Sequence, residues 1–197
     1  MIYLLLFCVL IIAELIYFRI ADRFNIIDKP NERSSHKSIT LRGGGIIFLF
    51  GAWLYAAFFG LQYPWFLTGL SLVAIISFID DIHSLPDSIR LVVQFIAMFL
   101  MFQQFGILNW ESWWIILIAL IVCVGVSNAY NFMDGINGIT GGYSLALMLP
   151  LIFINAKTPF IDPNFLYVAS LSLLVFCFFN FRKKAKCFAG DVGSLSI

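Results

Sequence analysis

Long apolar runs alternate with short polar stretches along this chain, and the run lengths predict its architecture. Residues 2–18 are apolar apart from Glu14, and further apolar runs cover 43–60, 65–79, 89–108, 113–128, 142–154 and 165–181. A helix rises about 1.5 Å per residue, so about 20 apolar residues cross a hydrocarbon core about 30 Å thick. Only helices and closed barrels satisfy their backbone groups inside lipid. The pattern therefore predicts an all-α, polytopic transmembrane bundle of seven helices, forming one membrane domain over residues 1–197. The run at 65–79 is short for a span and is expected to borrow Asp80 and Asp81 as its wet end. Pro86 and Asp87 suit the start of the fourth helix. No basic residue precedes the first run and no small-residue cleavage site follows it, which predicts an uncleaved helix rather than a signal peptide. Glu14 is costly in lipid and is expected to face other helices or the interface.

Composition agrees with this pattern. Hydrophobic residues make up 61% of the chain and charged residues 12%, against about half and about a quarter in soluble domains. Seven spans put the stretches at 19–43, 80–90, 128–142 and 182–194 on one side. Of the 12 Lys and Arg residues, 11 then lie on that side, leaving Lys157 alone on the other. Basic residues mark the cytoplasmic side. The expected placement is the inner (plasma) membrane, with the N-terminus outside and every polar cluster facing the cytoplasm. Cys8, Cys123, Cys177 and Cys187 show no CxxC spacing and are expected to be neither disulfide-bonded nor zinc ligands.

The polar stretches carry the candidate chemistry. In Asn128-Ala-Tyr-Asn-Phe-Met-Asp-Gly-Ile-Asn-Gly-Ile-Thr-Gly-Gly142, Asn128, Asn131 and Asp134 recur every third residue. On a helix they fan over about a third of the circumference. A carboxylate and carboxamides beside a glycine-rich turn suit a metal-bound diphosphate. A capping turn at the interface would use the same residue types. Asp80 and Asp81 repel each other and persist best beside a cation or a proton-transfer task, with Arg90 within reach on the next helix. A solvated helix terminus is the plain alternative. Asp191, between Gly190 and Gly193 and behind a basic run, suits a magnesium ligand, although Gly-Asp turns are common. The loop from Asp28 to Gly44 mixes basic side chains, hydroxyls and glycines, as an anionic phosphate site would. Anchoring at lipid headgroups explains its Lys and Arg residues better. His36 is the member of that loop suited to direct work, or else a solvated histidine.

Taken in order, DKPNERSSHKSITLRGG, FIDD, NAYNFMDGINGITGG and GDVGS resemble the motifs of bacterial polyprenyl-phosphate N-acetylhexosamine-1-phosphate transferases. The same superfamily holds the phospho-N-acetylmuramoyl-pentapeptide transferases and the eukaryotic dolichyl-phosphate enzyme. The resemblance implies a Mg2+-dependent reaction, with Mn2+ as a substitute. A polyprenyl (undecaprenyl) phosphate attacks a UDP-N-acetylhexosamine and releases UMP, as the first membrane step of cell-surface polysaccharide synthesis. It also implies roles for individual residues. Asp191 and Asn131 hold the metal, and Arg90 grips a phosphate. Asp80 and Asp81 handle the lipid phosphate or its proton, and Asp134 is the motif's central aspartate, classed with them as catalytic. Asn137 contacts the uridine, and Asn128 and His36 join the substrate-binding set. A homodimer is compatible with this picture, and nucleic acid is not an expected partner.

Two departures qualify the resemblance. The muramoyl-pentapeptide branch usually carries Asp where this chain has Asn137, which favours the hexosamine branch. The family continues beyond the Gly-Asp motif through further helices and a His-rich loop. Here the histidines are His36 and His83, and the chain reads as a fragment or truncated product that opens another helix at Leu195-Ser-Ile197. A muramoyl-pentapeptide transferase is the nearest alternative. A membrane cation transporter and a non-catalytic scaffold are further ones. Transport sites lie near the bilayer midplane, whereas the carboxylates here, apart from Glu14, sit at one edge.

Overall fold

The computed structural model describes residues 1–28, 39–108, 110–182 and 184–197. Eight α-helices occur among them: α1 (Ile2–Arg23), α2 (Ile46–Phe59), α3 (Pro64–Ile82), α4 (Asp87–Gln104), α5 (Trp113–Met133), α6 (Ile139–Lys157), α7 (Pro163–Asn180) and α8 (Gly190–Ser196). Five of them, α1, α3, α5, α6 and α7, are long and apolar enough to cross a membrane. The other two of the seven expected spans differ for local reasons. Helix α2 has 14 residues because Gly60 ends it with a positive φ and Pro64 begins the next helix. Helix α4 reaches 18 residues but carries Asp87, Arg90, Gln94, Gln103 and Gln104.

Several boundaries lie outside the apolar runs, because helical hydrogen bonding continues after hydropathy falls. Helix α1 runs on through Arg19, Asp22 and Arg23 to a cap at Phe24. Helix α5 runs five residues beyond the predicted end, to Met133, so Asn128 and Asn131 are helical. Helix α6 starts three residues early and passes through Pro150 to Lys157. Asp80 and Asp81 fall within the last turn of α3.

The core lies where α1, α2 and α7 meet the tail after α7. Leu10, Tyr17, Phe18, Ile47, Phe48, Leu173, Phe176 and Phe179 pack there with Cys187 and Ala189. Glu14 is fully buried on α1, as its cost in lipid requires, and its Oε1 accepts from Cys187 Sγ at 3.7 Å. All four cysteines are free. Burial and the nearby Glu14 carboxyl push the Cys187 thiol well up, so it is inert as a nucleophile. Many large apolar side chains face outward, among them Ile12, Phe50, Trp53, Ile75, Leu117 and Phe153. Outward apolar faces on long helices suit a lipid surround.

Backbone pairing near one end of the bundle shapes the site. Strand β1 (Ile27–Asp28) pairs antiparallel with β2 (Thr40–Leu41), placing Ile27 opposite Leu41. Leu41 also bridges Cys187 in the tail. The Phe188 amide donates to Leu41 O at 2.8 Å, Gly44 N to Phe188 O at 2.9 Å and Gly45 N to Ala189 O at 3.0 Å. This zipper brings the start of α2 onto the start of α8. At the crossing, a Cβ on Gly45 would stand 2.1 Å from Gly193 Cα. Backbone cannot yield as a flexible side chain can. Gly45→Ala is therefore expected to separate α8 from α2 and to destabilise by about 3 kcal/mol or more, at the upper end of overpacking costs. Thermal unfolding in detergent checks this, and an unchanged midpoint would contradict the crossing.

At the opposite end, Asp162 joins three elements. Its Oδ2 accepts from Tyr55 Oη at 2.7 Å and Gln62 Nε2 at 3.1 Å, and its Oδ1 accepts from the Asn164 amide nitrogens at 2.9 Å. Neutral donors thus satisfy this carboxylate, which closes the α2–α3 and α6–α7 connections against each other.

Candidate active site

Three aspartates and two arginines interlock where α3, α4, α8 and the loop before α2 converge. Asp81 ends α3 with a fully buried side chain and holds the start of α8. Its Oδ1 accepts the Asp191 N–H at 2.9 Å and its Oδ2 the Val192 N–H at 3.1 Å. These are early N–H groups of α8, which have no partner within the helix. Gly190 makes the approach possible. Its φ is +70°, and a Cβ there would lie 2.5 Å from Asp81 Oδ2. Asp80 has different partners. Its Oδ1 accepts the Leu85 N–H at 2.6 Å, and its Oδ2 pairs with Arg90 Nη1 at 3.2 Å.

The arginines tie these carboxylates to Asp191. Arg42 Nε lies 2.7 Å from Asp81 Oδ1, and its Nη2 lies 3.4 Å from Asp191 Oδ1. Arg90 Nη2 lies 2.9 Å from Asp191 Oδ2. Each oxygen of Asp191 therefore meets a different guanidinium. Burial raises the Asp191 carboxyl above its ordinary value, and the adjacent Asp80 carboxyl adds to this. Arg42 and Arg90 oppose the rise.

The asparagine-rich stretch completes one side. Asn131 Oδ1 accepts from Ser194 Oγ, joining α5 to α8 next to Asp191. Asp134 caps α5 and its Oδ1 accepts from Thr140 Oγ1 at 2.5 Å. Burial raises its carboxyl, and the charges of Asp191 and Arg42 reach it. Asn128 exchanges amide hydrogen bonds with Gln94 of α4, tying α4 to α5. Asn180 fixes the following turn, accepting from Gly138 N at 2.8 Å and donating to Cys187 O at 2.9 Å.

Asp80, Asp81, Arg90, Asn131 and Asp191 thus converge, with Asp134 at their edge. Asn128 instead faces Gln94 within the bundle, and His36 lies outside the described residues. Arg42 departs from the expectation that the loop's basic residues serve headgroups. Its two carboxylate partners draw it inward, a placement that Gly43-Gly44-Gly45 directly after it hinted at. Gln94, Thr140, Asn180 and Ser194 also went unread. Gln94 and Asn180 carried a signal, since polar residues inside apolar runs mark interior helix contacts.

Among the described residues, no three His, Cys, Asp or Glu side chains form a ready ligand set for a metal. The donor chemistry still fits Mg2+, which takes one or two carboxylates plus substrate phosphate oxygens. Asp191 supplies hard oxygens, Asn131 is linked to the Asp191 carbonyl through Ser194 Oγ, and two guanidiniums stand where positive charge is called for. Among the described residues, Arg90 Nε at the site is buried without a partner, and so is Asn137 Oδ1 in the turn before α6. Unpaired buried groups of this kind favour a polar ligand. Behind Ser194 and Tyr130 opens an apolar cavity of about 350 Å³, walled by Phe66, Leu70, Met101 and Leu147.

The family model for Glycosyl transferase family 4 matches residues 63–197. The chain is 31% identical over 182 residues to a phospho-N-acetylmuramoyl-pentapeptide-transferase of Thermotoga neapolitana, covering 82% of this chain and 58% of that protein. It is 26% identical over 209 residues to a Bacillus subtilis protein described as a probable undecaprenyl-phosphate N-acetylglucosaminyl 1-phosphate transferase, covering 96% and 57%. The chain thus spans a little over half the length of these relatives.

Proposed function

Because the chain belongs to glycosyl transferase family 4, we propose that it carries the phosphoryl-transfer site of an enzyme that moves N-acetylhexosamine 1-phosphate from a UDP-sugar to polyprenyl phosphate. The observation that carries this reading is the placement of Asp191 between Arg42 and Arg90, with Asp80 on the same guanidinium. Phosphoryl transfer needs positioning and charge neutralisation more than covalent chemistry from the protein. Two guanidiniums suit a diphosphate, because their planar forks match phosphate oxygens. The apolar cavity adjoining the polar cluster suits a polyprenyl chain whose phosphate reaches the same place. The relatives' names divide between two acceptor-linked sugars. Asn137 in place of the muramoyl branch's usual Asp favours the hexosamine side.

The chain's own residues then take these roles. Arg90 bridges Asp80 and Asp191 and offers its unpaired Nε to a phosphate oxygen. Asp191, with Asn131 beside it, holds Mg2+, which when bound neutralises charge on the diphosphate. Asp81 fixes the Asp191 backbone. Asn137 Oδ1 meets a donor on the nucleotide. The lipid phosphate attacks directly, since a phosphate monoester's second pKa is about 6 and it is largely ionised near neutral pH. The site faces the cytoplasm, where nucleotide sugars are made.

The test is transfer itself. UDP-N-acetylglucosamine labelled in its β-phosphate is incubated with undecaprenyl phosphate, Mg2+ and the detergent-purified protein. Label is expected in a lipid diphosphate sugar, with equal UMP. Label that stays in the nucleotide when polyprenyl phosphates and UDP-N-acetylhexosamines are offered in turn would count against the proposal.

A further inference from the structure

We propose that Arg42 is a substrate-binding residue that exchanges partners, giving up Asp191 when a divalent cation is held there and turning the freed Nη2 to the diphosphate. This role rests on the transferase reading above. Arg42 contacts Asp81 and Asp191 unequally, and the charge of Asp28 also reaches it. Its Nε sits 2.7 Å from Asp81 Oδ1, whereas its Nη2 sits 3.4 Å from Asp191 Oδ1. Arg90 holds the other Asp191 oxygen at the shorter distance of 2.9 Å. The weaker contact is the one that can break while the side chain stays anchored on Asp81. Arg42 also has the room, its side chain being 35% exposed against 21% for Arg90. Its backbone does not need to move, because Tyr17 Oη donates to Arg42 O and the Leu41–Phe188 pairing holds the loop.

The exchange has an energetic consequence. Asp191 Oδ1 serves Arg42 or a cation, and a cation there takes that partner from Nη2 and sets it beside like charge. Without an anion, Arg42 therefore competes with the metal. With a diphosphate present, Nη2 gains a partner and the competition ends. No ready three-residue ligand set exists among the described residues, so the diphosphate's oxygens are needed to complete the coordination as well. Metal and diphosphate then bind together, each weakly alone. Such a device keeps the cation from settling in an empty site.

Arg42→Gln separates these effects because they have opposite signs. Mn2+ binding to the detergent-purified protein is followed by electron paramagnetic resonance, without nucleotide. UDP binding is then followed at saturating Mn2+. Arg42→Gln is expected to tighten Mn2+ alone by about fivefold or more and to weaken UDP by a similar factor, within the usual range of coupling between sites. An unchanged unfolding midpoint in Arg42→Gln excludes a damaged fold as the cause of either change. Unchanged or weaker Mn2+ binding overturns the exchange, and so does tighter Mn2+ with unchanged UDP. The unsubstituted protein gives a second measurement. Phenylglyoxal labelling of Arg42, read by mass spectrometry, is expected to rise with Mn2+ and to fall again when UDP is added. Labelling that ignores Mn2+ overturns the proposal. Asp191→Asn isolates the underlying reading: if Mn2+ binding survives it unchanged, Asp191 is not the metal ligand and the transferase assignment of that residue fails first.

Discussion

Asp191→Asn is expected to lower transfer by about 10²–10³-fold, the usual loss of a charge stabiliser aimed at a transition state, or about 3–4 kcal/mol. The side chain meets Arg42 through one oxygen and Arg90 through the other. An amide of the same shape keeps one oxygen and loses the charge, so one guanidinium loses its partner and the other keeps a neutral one, while the backbone hold of Asp81 on residue 191 remains. Function is therefore expected to fall much further than stability. Added Mg2+ should restore part of the rate if metal affinity is what was lost. Near-normal turnover at low Mg2+ would remove Asp191 from the metal role, and a collapse of thermal stability would make the residue structural.

Asp81→Asn is expected to do the reverse, acting first on structure. The Asp81 carboxylate is fully buried and accepts from Asp191 N, Val192 N and Arg42 Nε. An amide offers one acceptor oxygen, so an N–H at the start of α8 faces another N–H, and Arg42 loses its anchor. Breaking a buried pair from one side costs about 3–5 kcal/mol. The expected result is a lower unfolding midpoint and faster proteolysis of residues 187–197, with transfer lost because Asp191 is displaced. Unchanged stability with abolished transfer would instead give Asp81 a chemical role. Asp80→Asn separates the two adjacent residues, since the backbone N–H that Asp80 accepts is that of Leu85 rather than one at the start of α8.

Much of the architecture was legible in hydropathy, because a lipid-crossing segment must be both long and apolar. Helix ends were less legible, since arginines and asparagines at the membrane edge leave a run apolar no longer but still helical, as at Arg19 to Arg23 and Asn128 to Met133. In the site, Asp80, Asp81 and Asp191 stood out because carboxylates at one membrane edge are unusual, and Arg90 because it lies within reach of the Asp pair. Arg42 did not, because a basic loop residue has a sufficient explanation at headgroups. Its carboxylate partners and the pairing of residues 41–45 with 186–189 together bring it inward. Asn128 read as a ligand by its spacing, yet its partner Gln94 lies on another helix, where no local pattern reveals it.

On the proposed function, this cluster positions and neutralises phosphates and forms no covalent bond with them. Both oxygens of Asp81 are engaged by backbone N–H groups, and both oxygens of Asp80 are held by Leu85 N and Arg90. An aspartyl intermediate would also bring a carboxylate up to an anionic diphosphate beside a second carboxylate. The most direct measurement is isotope exchange without the lipid. Purified protein is incubated with UDP-N-acetylglucosamine, Mg2+ and radiolabelled UMP, in detergent freed of polyprenyl phosphate. Direct attack predicts no label in the UDP-sugar until undecaprenyl phosphate is added. Robust lipid-free exchange, abolished by Asp80→Asn, would contradict the account and name the nucleophile.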